Sequence, residues 1–291
     1  MSLELCILAS GSSGNCAVVR TPAGVMLIDL GLGPRVTAQR LNGTGVGVAD
    51  VQAVCITHLD SDHFRPMWAS TLVRNGIRVF VHRERVQHLL GLVNPEIAPE
   101  VARLVVPFHV GDFEPLPGVR CSPLMLAHDR TGSHAFVIES RDAESGAARR
   151  LGYATDLGHV PGPLLDAFGG LDVVAIEANY DPQMQLASPR PFFLKNRIMG
   201  GSGHLSNQQA LDAVRALLDR ATRAGGRLPE HIVLLHRSRQ CNCPKIVHSL
   251  FSRDARIAPR LTLTDQYART EWLRPREVAP AAGEQLTIAF G

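Results

Sequence analysis

Apolar and polar positions along this chain follow two rhythms. Short apolar runs bounded by glycine, proline and small polar residues fill the first third, and Leu5–Ala9, Cys16–Arg20 and Val25–Asp29 read as strands separated by SGSSGN and TPAG. A helix is expected at Pro34–Leu41, its proline suited to a first turn. Val51–Ile56 is a further strand that runs straight into the polar cluster THLDSDH, followed by a helix over Arg65–Asn75, a strand at Val79–Val81 and a helix at Glu84–Leu90. The middle repeats the pattern with strands at Arg103–Pro107, Val119–Leu126, Ala135–Ser140, Arg150–Ala154 and Val173–Glu177. The charged segment Arg141–Arg150 reads as a solvated hairpin connection. The helical period returns at Asn207–Arg223, where Ala210, Leu211, Val214, Leu217 and Leu218 line one face. A strand at Ile232–Leu235, a helix at Pro244–Phe251 and late strands at Arg260–Thr264 and Gln285–Ala289 complete the outline.

Strands and helices in this alternation predict an α/β protein, with strands packed in two sheets and helices outside them. No repeat, low-complexity tract or long linker divides the 291 residues, so residues 1–291 are expected to form a single domain. The chain is 45% apolar and 20% charged, with 26 glycines and 19 prolines, as in loop-rich globular proteins. Its net charge of +3 suits an anionic substrate but is too small to establish a nucleic-acid partner. Cys6, Cys16, Cys55 and Cys121 sit in strand-like runs, where a thiol packs as a small hydrophobe, and Cys241-Asn242-Cys243 lacks the second pair of a structural zinc site. The opening MSLELCILASGSSGN has no basic region and too short an apolar run for a signal peptide, and no stretch reaches the length of a membrane span. A cytoplasmic protein without a membrane partner is expected; the oligomeric state stays open.

Chemistry concentrates where apolar runs end. His58, Asp60, Asp62 and His63 crowd the segment after Val51–Ile56; in an extended chain the first three share a face, and the break into a helix near Phe64–Pro66 supplies the turn that would bring His63 to join them. These are more ligands than one tetrahedral ion takes from so short a stretch, and they can divide between two adjacent ions. His128 follows Val119–Leu126, Asp156 follows Arg150–Ala154 and His236 follows Ile232–Leu235, so further imidazole and carboxylate ligands stand at three later strand ends.

This ordered set, HLDSDH followed by distal His, Asp and His, resembles the metallo-β-lactamase-fold hydrolases. SGSSGN (Ser10–Asn15), ATDLGHV (Ala154–Val160), EANYD (Glu177–Asp181), RIMGGSGHLSN (Arg197–Asn207) and LLHRSRQCN (Leu234–Asn242) make it similar, more narrowly, to the YycJ/WalJ-type branch over about Leu5 to Asn242. The resemblance implies a four-layer αββα sandwich of two mixed sheets with outer helices and the metal site at one sheet edge. It implies two divalent metal ions (Mn, Zn or Fe): His58, Asp60 and His128 on one, Asp62, His63 and His236 on the other, Asp156 bridging them, and a bridging hydroxide as nucleophile. Asp60 stands where the family has its second histidine and Tyr180 where the branch often has histidine. An aspartate at position 60 supplies a hard anionic oxygen, which favours manganese or iron over zinc.

The substrate side is read from GGSGHLSN. Ser206 fits an N-cap, the helix start at Asn207 would offer free amides to an anion, and His204 could protonate a leaving oxygen. Arg190, Lys195, Arg197, Arg237, Arg239 and Lys245 cluster around the same motifs, with Arg197 and Arg237 as expected phosphate contacts beside Ser206 and Asn207. His204, Asp156 and Asp62 are the expected catalytic residues. The resemblance implies a dinuclear metal-dependent hydrolase cleaving phosphodiester bonds, first a nuclease with 5′-exonuclease action on DNA. The alternatives are a phosphodiesterase for a small cyclic phosphodiester and a non-catalytic binding module of the same fold. The linear sequence shows no long basic or aromatic stripe for tracking a strand.

Overall fold

Paired in chain order, the short runs of the first third build one sheet. In the computed structural model, which describes residues 3–141 and 146–276, β1 (Glu4–Ala9), β2 (Cys16–Thr21), β3 (Gly24–Ile28), β4 (Val51–Cys55), β5 (Arg78–His82) and β6 (Val105–Phe108) lie side by side in that order. Pairing is antiparallel from β1 to β3 and parallel from β3 to β6. The second sheet takes β7 (Phe113–Leu116), β8 (Val119–Leu126), β9 (Ser133–Arg141), β10 (Ala148–Ala154), β11 (Val173–Glu177), β12 (His231–Leu235) and β13 (Leu261–Leu263), also in chain order. It is antiparallel from β7 to β10 and parallel from β10 to β13. Both sheets are therefore mixed.

Alternation along the strands decides the layers. Ile7, Ala17, Met26, Ile28 and Cys55 of the first sheet meet Cys121, Phe136, Ile138, Tyr153, Val173 and Leu235 of the second in a core between the sheets. Their sequence neighbours face outward: Leu8, Val18, Leu27 and Val54 pack on Leu41, Trp68, Leu72, Leu89 and Val101. Those residues come from α1 (Pro34–Leu41), α2 (Ala69–Asn75), α3 (Val86–Leu92), α4 (Ala98–Leu104) and the short turn before α2. On the other side Val137, Ala154, Ile176 and Leu234 pack on α5 (Gly162–Ala167), α8 (Asn207–Arg223) and α9 (Pro244–Phe251), while α6 (Pro182–Ala187) and α7 (Phe192–Met199) lie between α5 and α8 in the chain. The order is αββα. Being covered on both faces explains why the strands read as continuous apolar runs. Along α8 the buried Leu211, Val214, Leu217 and Leu218 each contribute about 1.5–3 kcal/mol, more than any cap or propensity term.

Several boundaries differ from the pattern-based expectation. Arg103 and Leu104 end α4, so β6 starts at Val105; α4, α5, α6, α7 and β7 carried too few periodic positions to be seen. The strand expected at Gln285–Ala289 lies outside the described residues, and the hairpin Arg141–Arg150 is described only at its two strand ends. No helix among the described residues is long and apolar enough to cross a membrane. Cys6, Cys16, Cys55 and Cys121 are buried as small apolar side chains.

The topology places the chemistry. β4 runs parallel to its neighbours β3 and β5, and β10, β11 and β12 are parallel to one another, with β8 in the same direction as β10 across β9. The segments after β3, β4, β8, β10, β11 and β12 thereby bring side chains from both sheets to one edge of the sandwich.

Candidate metal centre

The turn after β4 is tighter than an extended reading allows. The amides of His63 and Phe64 both donate to the Asp60 carbonyl, at 2.8 and 2.9 Å, so 60–64 closes on itself. This fold-back, and not strand alternation, brings His63 to the same side as His58. Asn15 anchors the turn: its amide N–H donates to the Asp62 carbonyl (2.7 Å) and its side-chain Nδ2 lies 2.9 Å from His63 Nε2. Gly31 makes the approach possible, since a Cβ there would overlap the Asp62 carbonyl.

The residues expected from the sequence converge as two overlapping groups. His58, His128 and Asp156 offer ligand atoms within 4.8 Å of one another, and so do Asp62, His63 and His236. Asp156 reaches both: it lies 2.9 Å from His63 Nε2, 3.6 Å from His236 Nε2 and 3.8 Å from His128 Nε2. His236 Nε2 is also 3.3 Å from Asp62. Asp60 is the outlier. It is 51% exposed, 3.7 Å from His58 Nε2, and groups with His128 and Asp129 at the rim.

Each imidazole is oriented through its other nitrogen. Thr57 Oγ1 lies 3.0 Å from His58 Nδ1, and Asp29 Oδ2 lies 2.7 Å from His63 Nδ1. His128 Nδ1 meets the Gly203 carbonyl at 3.0 Å, and His236 Nδ1 meets Glu177 Oε1 at 3.1 Å. The four Nε2 atoms are left on the side of the carboxylates, that of His63 between Asp156 and the Asn15 amide and that of His58 nearest Asp60. His58 Nε2 is buried with no hydrogen-bond partner. A buried imidazole nitrogen without a partner, beside three more imidazoles and two carboxylates, is the donor set a divalent cation requires. The residues present fit metal ions.

Backbone strain marks the same place. Asp29, Asp129, Asp156 and His236 adopt positive φ (62°, 43°, 53° and 52°) although they are not glycine. Such conformations cost about 1–3 kcal/mol each and persist where surrounding structure enforces them.

Electrostatics follow from this crowding. Burial disfavours a charged His236, but Asp156, Asp62 and Glu177 outweigh it and push its pKa up to about 10. His63 is likewise held well above the usual imidazole range, burial being overcome by Asp156, Asp29 and Asp62. Burial, and then the charge of His63, hold His58 well below that range. Burial would raise Asp156, yet His236 and His63 draw it well below the ordinary carboxylate value. Two imidazoles thus carry the positive charge that this anionic cluster demands.

Two participants escaped the sequence reading. Glu177, at the end of β11, is fully buried and accepts from His204 Nδ1 (2.7 Å), from His236 Nδ1, and from the amides of Leu157 and Leu205 (3.1 and 3.2 Å). Asp29, at the end of β3, holds His63 and accepts from Thr57. Their common signal was a carboxylate at or just past the end of a buried strand, the feature that had pointed to Asp156.

A cavity of ≈ 500 Å³ opens over the cluster, lined among others by Asp60, Asp62, His128, Asp156, His204, His236, Arg190 and Arg197. His204 reaches it with Nδ1 fixed on Glu177, and Arg197 does so while paired through Nε with Asp129 at 2.8 Å. Ser206, Asn207 and Arg237 do not line it. Ser206 completes a capping box with Gln209 at the start of α8, and the buried Asn207 exchanges amide hydrogen bonds with Asn242. Arg237 turns toward Thr264 and Asp265. Tyr180 is buried against Ile198 and Cys241.

Comparison with known proteins places the chain in a family. Residues 26–232 match the family model of the β-lactamase superfamily domain. The chain is similar to exodeoxyribonuclease YycJ of Bacillus anthracis, 25% identical over 257 residues that cover 87% of this chain and 89% of that one. It is also similar to exodeoxyribonuclease WalJ of Streptococcus pneumoniae, 25% identical over 83% of this chain and 84% of its relative. Among solved structures, zinc-bound PqqB from Methylobacterium extorquens superposes with a TM-score of 0.62 at 14% identity, covering 92% of this chain and 99% of that one. That last likeness concerns the fold.

Proposed function

The chain belongs to the metallo-β-lactamase superfamily, and on that premise we propose that it is a metal-dependent phosphodiesterase, a nuclease that trims DNA from an end, acting as one domain in the cytoplasm. The observation that carries the reading is the convergence of four tethered imidazoles and two carboxylates at the floor of an open cavity, whose wall His128, His236, Asp62 and Asp156 reach while His58 and His63 lie buried behind them. The names of the two curated relatives support DNA as substrate, and the six unpaired cysteines support a reducing compartment.

In this reading His58 and His128, with Asp60 at the rim, hold one divalent ion; Asp62, His63 and His236 hold the second; Asp156 serves both. Bound there, the ions would supply Lewis acidity and bring the pKa of water toward neutrality. The remaining steps belong to the protein. Asp29, Thr57, Glu177 and the Gly203 carbonyl fix the imidazoles, so little reorganisation accompanies reaction. His204 lines the cavity with Nδ1 on Glu177, which leaves Nε2 to pass a proton to the departing oxygen. Burial works against its charge, but Glu177 raises its pKa above the usual imidazole value, as a proton donor requires. Arg190 in the cavity wall contacts Gln185 and Gln240 and keeps donors for phosphate oxygens.

A panel of linear, nicked and single-stranded DNA, RNA, cyclic phosphodiesters and aryl phosphodiesters, assayed with added Mn²⁺, tests the proposal. Hydrolysis of DNA with end dependence is the expected result. Turnover of a thioester or lactam with no phosphodiester cleaved would sink it.

A further inference from the structure

The linear sequence shows no stripe for tracking a strand, but the fold assembles one at the mouth of the cavity. Phe192 and Phe193 open α7 and are 77% and 72% exposed. Exposed paired phenylalanines on a globular surface call for an occupant. Phe193 stands one helical turn before Arg197, which lines the cavity, so the two side chains share a helix face. Just ahead of α7, Arg190 donates from Nε to Gln240 Oε1 at 2.9 Å. The neighbour of Gln240, Arg239, lies 4.8 Å over the ring of Tyr267 and donates to its hydroxyl at 2.7 Å, and that ring is 57% exposed. Arg190, Leu194, Arg197 and Gln240 line the cavity, so the phenylalanines beside Leu194, and Arg239 with Tyr267 beside Gln240, border its mouth as a rim of aromatic rings and guanidinium groups drawn from three distant segments.

Two of the three cations have charge to spare. Among the described residues Arg190 and Arg239 contact amide or hydroxyl oxygens and no carboxylate, whereas Arg197 is paired with Asp129. A duplex would satisfy the cations through its phosphates but offers no base faces to the rings. An unpaired strand offers both: phosphates for Arg190 and Arg239, and π-faces for Phe192, Phe193 and Tyr267. Resting on the nuclease reading above, we propose that this rim holds the unpaired nucleotides flanking the scissile bond, and that the protein acts on single-stranded DNA or on frayed duplex ends.

The test compares the Mn²⁺-loaded wild-type chain with Phe192→Ala/Phe193→Ala and with Phe192→Trp/Phe193→Trp. Three readouts apply: cleavage of a single-stranded oligonucleotide, cleavage of a small aryl phosphodiester, and fluorescence anisotropy of the labelled oligonucleotide in excess chelator. The alanine pair should lose about tenfold or more in oligonucleotide affinity and kcat/KM and keep its rate on the aryl ester, with the tryptophan pair restoring both. An oligonucleotide with abasic sites should bind the wild type as weakly as the intact one binds the alanine pair, and the two losses should not add. Equal losses on both substrates, no loss on either, or a changed oligomeric state with unaltered DNA binding would overturn the rim. If the wild type cleaves no phosphodiester, the nuclease reading fails and the anisotropy arm alone decides whether the rim binds single strands.

Discussion

At position 60 an aspartate faces solvent, whereas Asp62 is half-buried and the other proposed ligands of the cluster are buried. Its oxygen is 3.7 Å from His58 Nε2, and it stands beside Asp129 and His128, so it can supply a hard ligand from the rim. Asp60→His should raise the preference for zinc over manganese, read as metal content after equilibration with both ions; an unchanged profile would remove position 60 from the ligand set. Glu177 acts at one remove, by orienting His204 and His236. Glu177→Gln keeps the shape but loses the charge, and a fall of about 10–100-fold in metal affinity or kcat is expected. The pKa directions give a third expectation. His236, with its pKa pushed up to about 10, and His63 carry protons near neutrality in the metal-free chain and must lose them to ligate. Metal binding should therefore release protons, and affinity should rise with pH between about 6 and 9. Calorimetry in buffers of different ionisation enthalpy measures this directly; binding with no proton released would contradict ligation through these two imidazoles.

Among the elements, α8 separates a structural role from a functional one. The sequence pointed to Ser206 both as a cap and as part of an anion site, and in the capping box its hydroxyl both donates to Gln209 Oε1 and accepts from the Gln209 amide. Ser206→Ala should cost about 1 kcal/mol of stability, seen as a lower urea midpoint at constant slope, with KM for a phosphodiester unaltered; a raised KM would return Ser206 to the binding surface. Strands and long helices were legible because alternation and the 3.6-residue period persist over enough positions to register, as in β8, β11 and α8. The short α6 and α7 were not, since Leu186, Phe192 and Phe193 point to solvent and break the apolar stripe that marks a buried helix. That same departure is what makes the rim visible in three dimensions. A turn was expected near Phe64–Pro66; that it closes earlier, over residues 60–64, depends on Asn15 and Gly31, remote positions that no local pattern reveals.

For the whole molecule, the consequence lies in where the proposed ligands come from. His58, Asp62 and His63 follow β4 of the first sheet, whereas His128, Asp156 and His236 follow β8, β10 and β12 of the second. The order of these residues was plain in the chain, but that both sheets contribute to one edge required the pairing pattern. Metal ions held by this cluster would link the two sheets at that edge and oppose their separation on unfolding. A ligand present at about 100 times its Kd stabilises the folded state by about 2.7 kcal/mol. In a protein of this size each kcal/mol moves Tm by about 2–4 °C, so Mn²⁺ should raise Tm by about 5–10 °C over chelator-treated protein. His236→Ala removes a ligand of the second sheet only, and His58→Ala one of the first only. Each should reduce the metal-dependent part of the shift, whatever it does to the metal-free Tm. A shift retained in full by either variant would show that the stabilising ion sits within one sheet, and the two-sheet clamp would be wrong.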